Sequence, residues 1–106
     1  MKTCQLENMV RGWFVGGFEP TALKTEACEV GVKAYKAGEE EEAHYHKIAT
    51  EVTLILSGEV EMCDQTWKSG DIITLEPGDI TAFRALSNAV TVVVKIPGAL
   101  NDKYLA

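Results

Sequence analysis

The chain's two histidines, His44 and His46, stand two residues apart, and an isolated Glu51 follows after four intervening residues. Residues i and i+2 of an extended strand project to the same face, so both imidazoles can reach one point while Tyr45 faces away. A turn over Lys47 to Thr50 then brings in the next strand, expected beside the first, with Glu51 at its start and pointing inward. Two neutral imidazoles and one carboxylate suit a divalent first-row metal such as Zn, Fe, Mn or Ni, with positions left open for water, dioxygen or substrate. Just upstream stand four consecutive glutamates, Glu39 to Glu42. A run of like charge before a strand reads as a solvated loop, outside the ligand set.

Such a site needs a stiff scaffold, and the rest of the chain reads as β-structure. From Glu29 onward, short β-type runs are separated by Gly, Pro and Asp, the pattern of an all-β sandwich or barrel. Strands are expected over Val30 to Lys36, Val52 to Leu56, Ile72 to Leu75, Thr81 to Ala85 and Val90 to Ile96. A hairpin is expected from Val60 to Cys63 and Thr66 to Lys68, turning at Asp64-Gln65. Glu76-Pro77-Gly78-Asp79 is a strong turn, because Pro fixes φ and Gly tolerates positive φ. If Glu51 points inward, so do Thr53 and Ile55, leaving Val52, Leu54 and Leu56 on the opposite face. That face is wholly apolar, so its expected cover is a second copy of the chain or the N-terminal aromatic segment, with a homodimer the expected assembly.

Residues 1–28, with Trp13, Phe14 and Phe18 around Gly16-Gly17, read as an edge segment docked by its aromatics. The tail 97–106 either covers an opening or frays. With no internal repeat or linker, the expectation is one domain over 1–106 with its core at about 30–96.

Composition narrows the function classes. At 106 residues, 46% hydrophobic and 25% charged, the chain has ordinary globular make-up. Ten Lys and Arg against sixteen Asp and Glu leave a net charge of -6, which argues against a nucleic-acid partner. No apolar run approaches the ~20 residues of a membrane span, and the N-terminus lacks a signal-peptide core. Cys4, Cys28 and Cys63 have neither disulfide nor zinc-knuckle spacing, so reduced thiols in a cytoplasmic protein are expected.

The pattern Gly38, five residues, His44-x-His46, four residues, Glu51, six residues, Gly58 resembles the complete first signature of the cupins. Gly70-Asp71 to Pro77-Gly78 is similar to their second. The resemblance covers about residues 30–96 and implies a small double-stranded β-helix (jelly-roll or cupin barrel), usually dimeric, holding a metal on three histidines and a glutamate. The chain departs from the family where the last ligand histidine belongs: that position is Thr81, and the later asparagine position is Ala85. A three-ligand site with an extra open position is therefore implied, and a metal-free ligand pocket stays open as the alternative.

The expected cavity walls, Thr53, Ile55, Thr81 and Phe83, offer little acid–base equipment, and no inward Lys or Arg is identified. Arg84 alternates outward, and Lys95 is assigned to neither face. The readings that follow are a metal-dependent protein acting on a small polar metabolite such as a sugar or keto acid, or a non-enzymatic ligand or metal sensor. A metal-free sugar-nucleotide epimerase or isomerase, with the unmetallated His44 or His46, or Tyr35, as a candidate base, is the third. Fold alone does not choose among them.

Overall fold

β-Branched residues crowd the pleated positions, and Gly, Pro and Asp interrupt them before any helix can propagate. The computed structural model, which describes residues 1–106, accordingly contains two single-turn 3₁₀ segments, Leu6–Asn8 and Val10–Gly12, and otherwise strands. In chain order these are β1 (Trp13–Val15), β2 (Glu29–Tyr35), β3 (Glu40–Tyr45), β4 (Thr50–Ser57), β5 (Glu59–Met62), β6 (Gln65–Lys68), β7 (Ile72–Leu75), β8 (Thr81–Ala85), β9 (Ala89–Ile96) and β10 (Tyr104–Leu105). They form two five-stranded antiparallel sheets, ordered β1-β2-β9-β4-β7 and β10-β3-β8-β5-β6. The all-β expectation is met.

Alternation divides each strand between interior and surface. On β8 the inward residues are Thr81, Phe83 and Ala85, and Arg84 points out to Glu40. Ile55, Val60, Met62, Ile73, Leu75, Phe83, Ala85 and Ala89 form one apolar core. Full burial of a side chain such as Ile55 contributes about 1.5–3 kcal/mol. Most of the core lies toward the end of the barrel where β4 and β8 finish, with Ile73 and Leu75 extending it along β7 to the level of Thr53 and Glu51. At the opposite end these strands begin, and their inward positions turn polar: Glu51, Thr53 and Thr81. Gly58 links β4 to β5 and has no substitute, because its φ is +84° and a Cβ there would lie 2.2 Å from the Asn88 carbonyl oxygen.

Three expectations need correction, and one left open is resolved. The β5–β6 turn is Cys63-Asp64, since Met62 pairs with Gln65 and both turn residues have positive φ (52° and 58°), the geometry of a type I′ turn. The glutamate run is not a loop, because β3 starts at Glu40. β3 and β4 are not neighbours: β3 is bonded to β8 and β10, β4 to β7 and β9, so the chain crosses from one sheet to the other between His46 and Thr50. Finally, the tail is docked. Tyr104 and Leu105 pair with Tyr45 and His44, Ala106 N–H donates to Ala43 O at 3.0 Å, and the Tyr104 ring stacks on Tyr45 at 5.5 Å.

Candidate metal centre

His44 ends the inward row of β3 and pairs directly with Thr81 on β8. His46 lies one step beyond the strand, and both imidazoles are buried, at 6% and 5% exposure. Glu51 enters from the facing sheet. Its Oε1 lies 3.8 Å from His46 Nε2, and the two histidine ring centroids are 5.5 Å apart. The three candidate ligands thus converge from two sheets on the polar end of the barrel.

Each imidazole is oriented by a backbone carbonyl. His46 Nδ1 contacts Asp102 O at 2.6 Å, and His44 Nδ1 contacts Glu42 O at 2.9 Å. A carbonyl only accepts, so both Nδ1 atoms carry the proton and the bare lone pair of each neutral ring is on Nε2. For His46 that nitrogen is buried and has no hydrogen-bond partner, since 3.8 Å is too long for one. The donor set therefore fits a divalent cation chemically. Geometrically it is gathered but not closed, for no three His, Cys, Asp or Glu groups yet meet at one point. Donors around a tetrahedral ion with bonds of ~2.0–2.2 Å lie about 3.4 Å apart. The His46–Glu51 gap is only a few tenths of an ångström wider.

The ionisation of the pair is shifted accordingly. The Glu51 carboxylate raises the His46 pKa, opposed by burial and aided by the Asp102 carbonyl. Burial pushes Glu51 up, but His46, Lys95 and His44 outweigh it and leave its pKa below the usual carboxylate value. A metal would thus compete with a proton for His46 Nε2.

The segment between the ligands is held by Asp102. Its carboxylate accepts hydrogen bonds from the amides of Lys47, Ile48 and Ala49 at 2.9–3.2 Å, while its carbonyl fixes His46. Gly78 N–H, in the Pro77-Gly78 turn, donates to His46 O at 2.8 Å. Asp102 lies in the tail that the sequence reading left unassigned; no local pattern marks a contact spanning more than fifty residues.

Glu41 is the second omission. Between Glu41↔Phe83 and His44↔Thr81, β3 advances three residues and β8 two, so β3 carries a bulge. That extra residue puts Glu41, rather than Glu42, on the face of His44. Glu41 lines a hollow of about 40 Å³ together with Tyr35, His44, Glu51, Thr53 and Thr81. The Tyr35 hydroxyl donates to Glu41 Oε1 at 3.0 Å, and Tyr35 stacks on Phe83 with centroids 4.4 Å apart. Burial, followed by the charge of Glu41, pushes the Tyr35 pKa far up, so the phenol is a donor and not a base. Phe83 is both a member of the apolar core and a wall of this hollow, whereas Ile55, expected beside it, lies in the core without lining the hollow. Thr81 Oγ1 donates to Ala82 O at 3.0 Å.

A wider antechamber of about 200 Å³ adjoins this floor, lined by Arg11, Trp13, Lys33, Lys95 and Lys103 as well as the candidate ligands. Inward basic residues therefore exist. Lys95 shares the inner face with Glu51, its direct cross-strand partner, and Lys33 lies on the inner face of β2. Trp13 packs over Gly31, where a Cβ would lie 2.7 Å from its ring. The ammonium groups of Lys95 and Lys33 lie 5.0 and 5.4 Å from the Trp13 ring centroid. Burial lowers the Lys33 pKa, against the attraction of Glu41.

No protein-family model matches the sequence, and no curated protein sequence matches it. Solved structures do. An uncharacterised conserved protein with a double-stranded β-helix domain from Klebsiella pneumoniae superposes with a TM-score of 0.70 at 27% identity, covering 80% of this chain and 79% of that one. A cupin-2 domain protein from Shewanella frigidimarina gives 0.57 at 16% identity over 69% and 74% of the two chains. Oxalate decarboxylase from Bacillus subtilis, a protein with Mn(II) centres, gives 0.63 at 19% identity over 76% of this chain but 24% of its own. The chain has the double-stranded β-helix fold that cupins share. No helix in it is long and apolar enough to cross a membrane.

Proposed function

We propose that the chain is a metal-binding cupin protein whose His44, His46 and Glu51 hold a divalent cation, Zn, Fe, Mn or Ni, for action on a small polar metabolite such as a sugar or keto acid. The observation that carries this reading is His46 Nε2, buried without a partner while its Nδ1 is pinned to Asp102 O. An unsatisfied buried polar atom costs about 1–3 kcal/mol, and coordination removes that cost. The Mn(II) centres of the B. subtilis oxalate decarboxylase support metal binding as a use of this fold.

A bound cation of this kind supplies Lewis-acid polarisation of a carbonyl and a water of lowered pKa. The chain's own contribution is positional. Tyr35 holds the Glu41 carboxylate against the floor of the cavity, where Glu41 can accept a proton because it is not needed as a ligand. Thr81 occupies the place of a fourth ligand with a hydroxyl turned to Ala82 O, which leaves that side open. Trp13 lines the approach.

A second reading has its own observation. The His46–Glu51 contact at 3.8 Å, with the histidine pKa raised and the glutamate lowered, is also a metal-free ion pair suited to a ligand-binding module or an epimerase. Elemental analysis of untagged protein beside His44→Ala and Glu51→Ala separates the two. Near-stoichiometric metal in the wild type and little in either variant is expected, and equal metal in all three would refute the first reading.

The proposal extends to assembly and setting. Val52, Leu54, Val92, Val94, Leu56 and Ile72 form an apolar outer face, with Leu56 and Ile72 54% and 63% exposed, which supports a homodimer built on this sheet. The free thiols Cys4, Cys28 and Cys63 support a cytoplasmic location.

A further inference from the structure

Four of the ten basic residues of an acidic chain, Arg11, Lys33, Lys95 and Lys103, line the single antechamber above the candidate ligands. None of them is ion-paired: the salt bridges of the molecule are Lys24–Glu19, His46–Glu51 and Arg84–Glu40. Cations scattered for solubility would not be gathered in one hollow and left unpaired. We infer that this antechamber binds the carboxylate of a small organic acid, with Lys33 and Lys95 as inner counter-charges and Arg11 and Lys103 at the rim. The inference rests on the metal reading for the floor of the same site.

Three features narrow the ligand. First, the acidic groups lining the antechamber are Glu41 and Glu51, so four positive charges face two negative ones even before a divalent cation is added. Second, no Asn, Gln, Ser or Thr lines it. A neutral sugar, which needs paired neutral donors and acceptors for its hydroxyls, finds few partners there. Third, Trp13, Tyr35 and Val93 give it an apolar flank, which favours an acid with a short carbon body over a bare inorganic anion. A volume of about 200 Å³ fits such an acid.

The geometry also explains why these ammonium groups, though they feel Glu51 and Glu41, close no ion pair with them. Lys95 sits in the sheet directly between Glu29 and Glu51, its cross-strand partners, yet its ammonium is turned toward Trp13. Lys33 reaches the same ring from two residues beyond Gly31. The indole thus keeps both stems extended at the mouth, through packing and cation–π contact. Arg11 stands at the corner of the N-terminal segment in the left-handed region (φ 53°), a strained placement that brings its side chain to the rim.

The test uses lactate and lactamide, one carbon skeleton with and without the charge, and inorganic phosphate as a third probe. Each is titrated into zinc-loaded and metal-free protein while the Trp13 indole N–H resonance is followed. Trp67, whose indole is hydrogen-bonded to Met62 O away from the cavity, is the internal control. Lactate is expected to bind about tenfold or more tighter than lactamide in both forms, since one hydrogen bond to a charged group contributes roughly that factor. Lys33→Met combined with Lys95→Met keeps the stems against Trp13 and removes the charges, and should reduce the preference to under about threefold with zinc stoichiometry unchanged. Equal binding of lactate and lactamide, a preference that survives the double variant, or phosphate binding as tightly as lactate would each overturn the inference. Failure of the metal reading registers separately, as absent zinc, and the metal-free titration then decides the mouth alone.

Discussion

Replacing Asp102 by Ala removes the acceptor for three consecutive amides on the crossover that separates His46 from Glu51. Ala49 is buried to 2% exposure, so its amide has no water to turn to, at a cost of about 1–3 kcal/mol. Lys47 and Ile48 are exposed, so their amides rehydrate and each loses about 0.5–1 kcal/mol. Asp102 is itself covered, with 5% of its surface accessible, but shallow, with few atoms packed around it. The total therefore belongs near the middle of a range of about 2–5 kcal/mol. For a chain of this length that is a fall in Tm of roughly 10–20 °C. Because the freed segment joins two ligands, zinc affinity should also drop, by about 10–100-fold as for other groups that orient ligands.

The acid dependence carries a sign. Burial pushes the Asp102 carboxyl up, but the amide bonds from Ala49, Lys47 and Ile48 outweigh it and hold the folded pKa below the ordinary 3.8. The stability it contributes is thus present above that value and lost as pH falls through the depressed one. Urea titrations of wild type, Asp102→Asn and Asp102→Ala at neutral and acid pH, with zinc titrations alongside, measure all of this. An Ala variant within about 0.5 kcal/mol of wild type and equal in zinc affinity would show that the carbonyl of residue 102 stays in place without the carboxylate.

Two further outcomes are expected. Thr81→His, set directly opposite His44, should tighten zinc binding by about tenfold or more by supplying a fourth donor, while overpacking lowers stability by about 1–3 kcal/mol; unchanged or weaker affinity would place residue 81 outside the ligand sphere. Leu54→Glu puts a charge among Val92, Ile72 and their neighbours and should give monomer or aggregate by light scattering, so a stable variant dimer would remove this sheet from the interface.

The strands were legible because alternation and punctuation are local. Five of the seven expected strands beyond residue 29 differ from the observed ones by at most two residues at either end, and Ile72–Leu75 and Thr81–Ala85 agree at both. What was not legible depends on long-range pairing. Alternation places Glu42 in phase with His44, and only the pairing of β3 with β8 reveals the bulge that brings in Glu41 instead. The sequence order of His46 and Glu51 favours a simple hairpin, whereas the chain changes sheets between them. Lys33 and Lys95 take their inward direction from strand phases that the flanking valines, apolar on both faces, leave undefined. Asp102 acts through hydrogen bonds to residues more than fifty positions away.

The change of sheet between His46 and Thr50 has a dynamic consequence. β3 and β4 share no hydrogen-bonded neighbour, so at this end the crossover and its Asp102 clamp bridge the two layers. Any fluctuation that parts the layers also separates His46 from Glu51. The amides of Lys47, Ile48 and Ala49 should then exchange with solvent at a rate tied to how long a bound ion stays in place, because opening of the clamp and release of the ion are one local event.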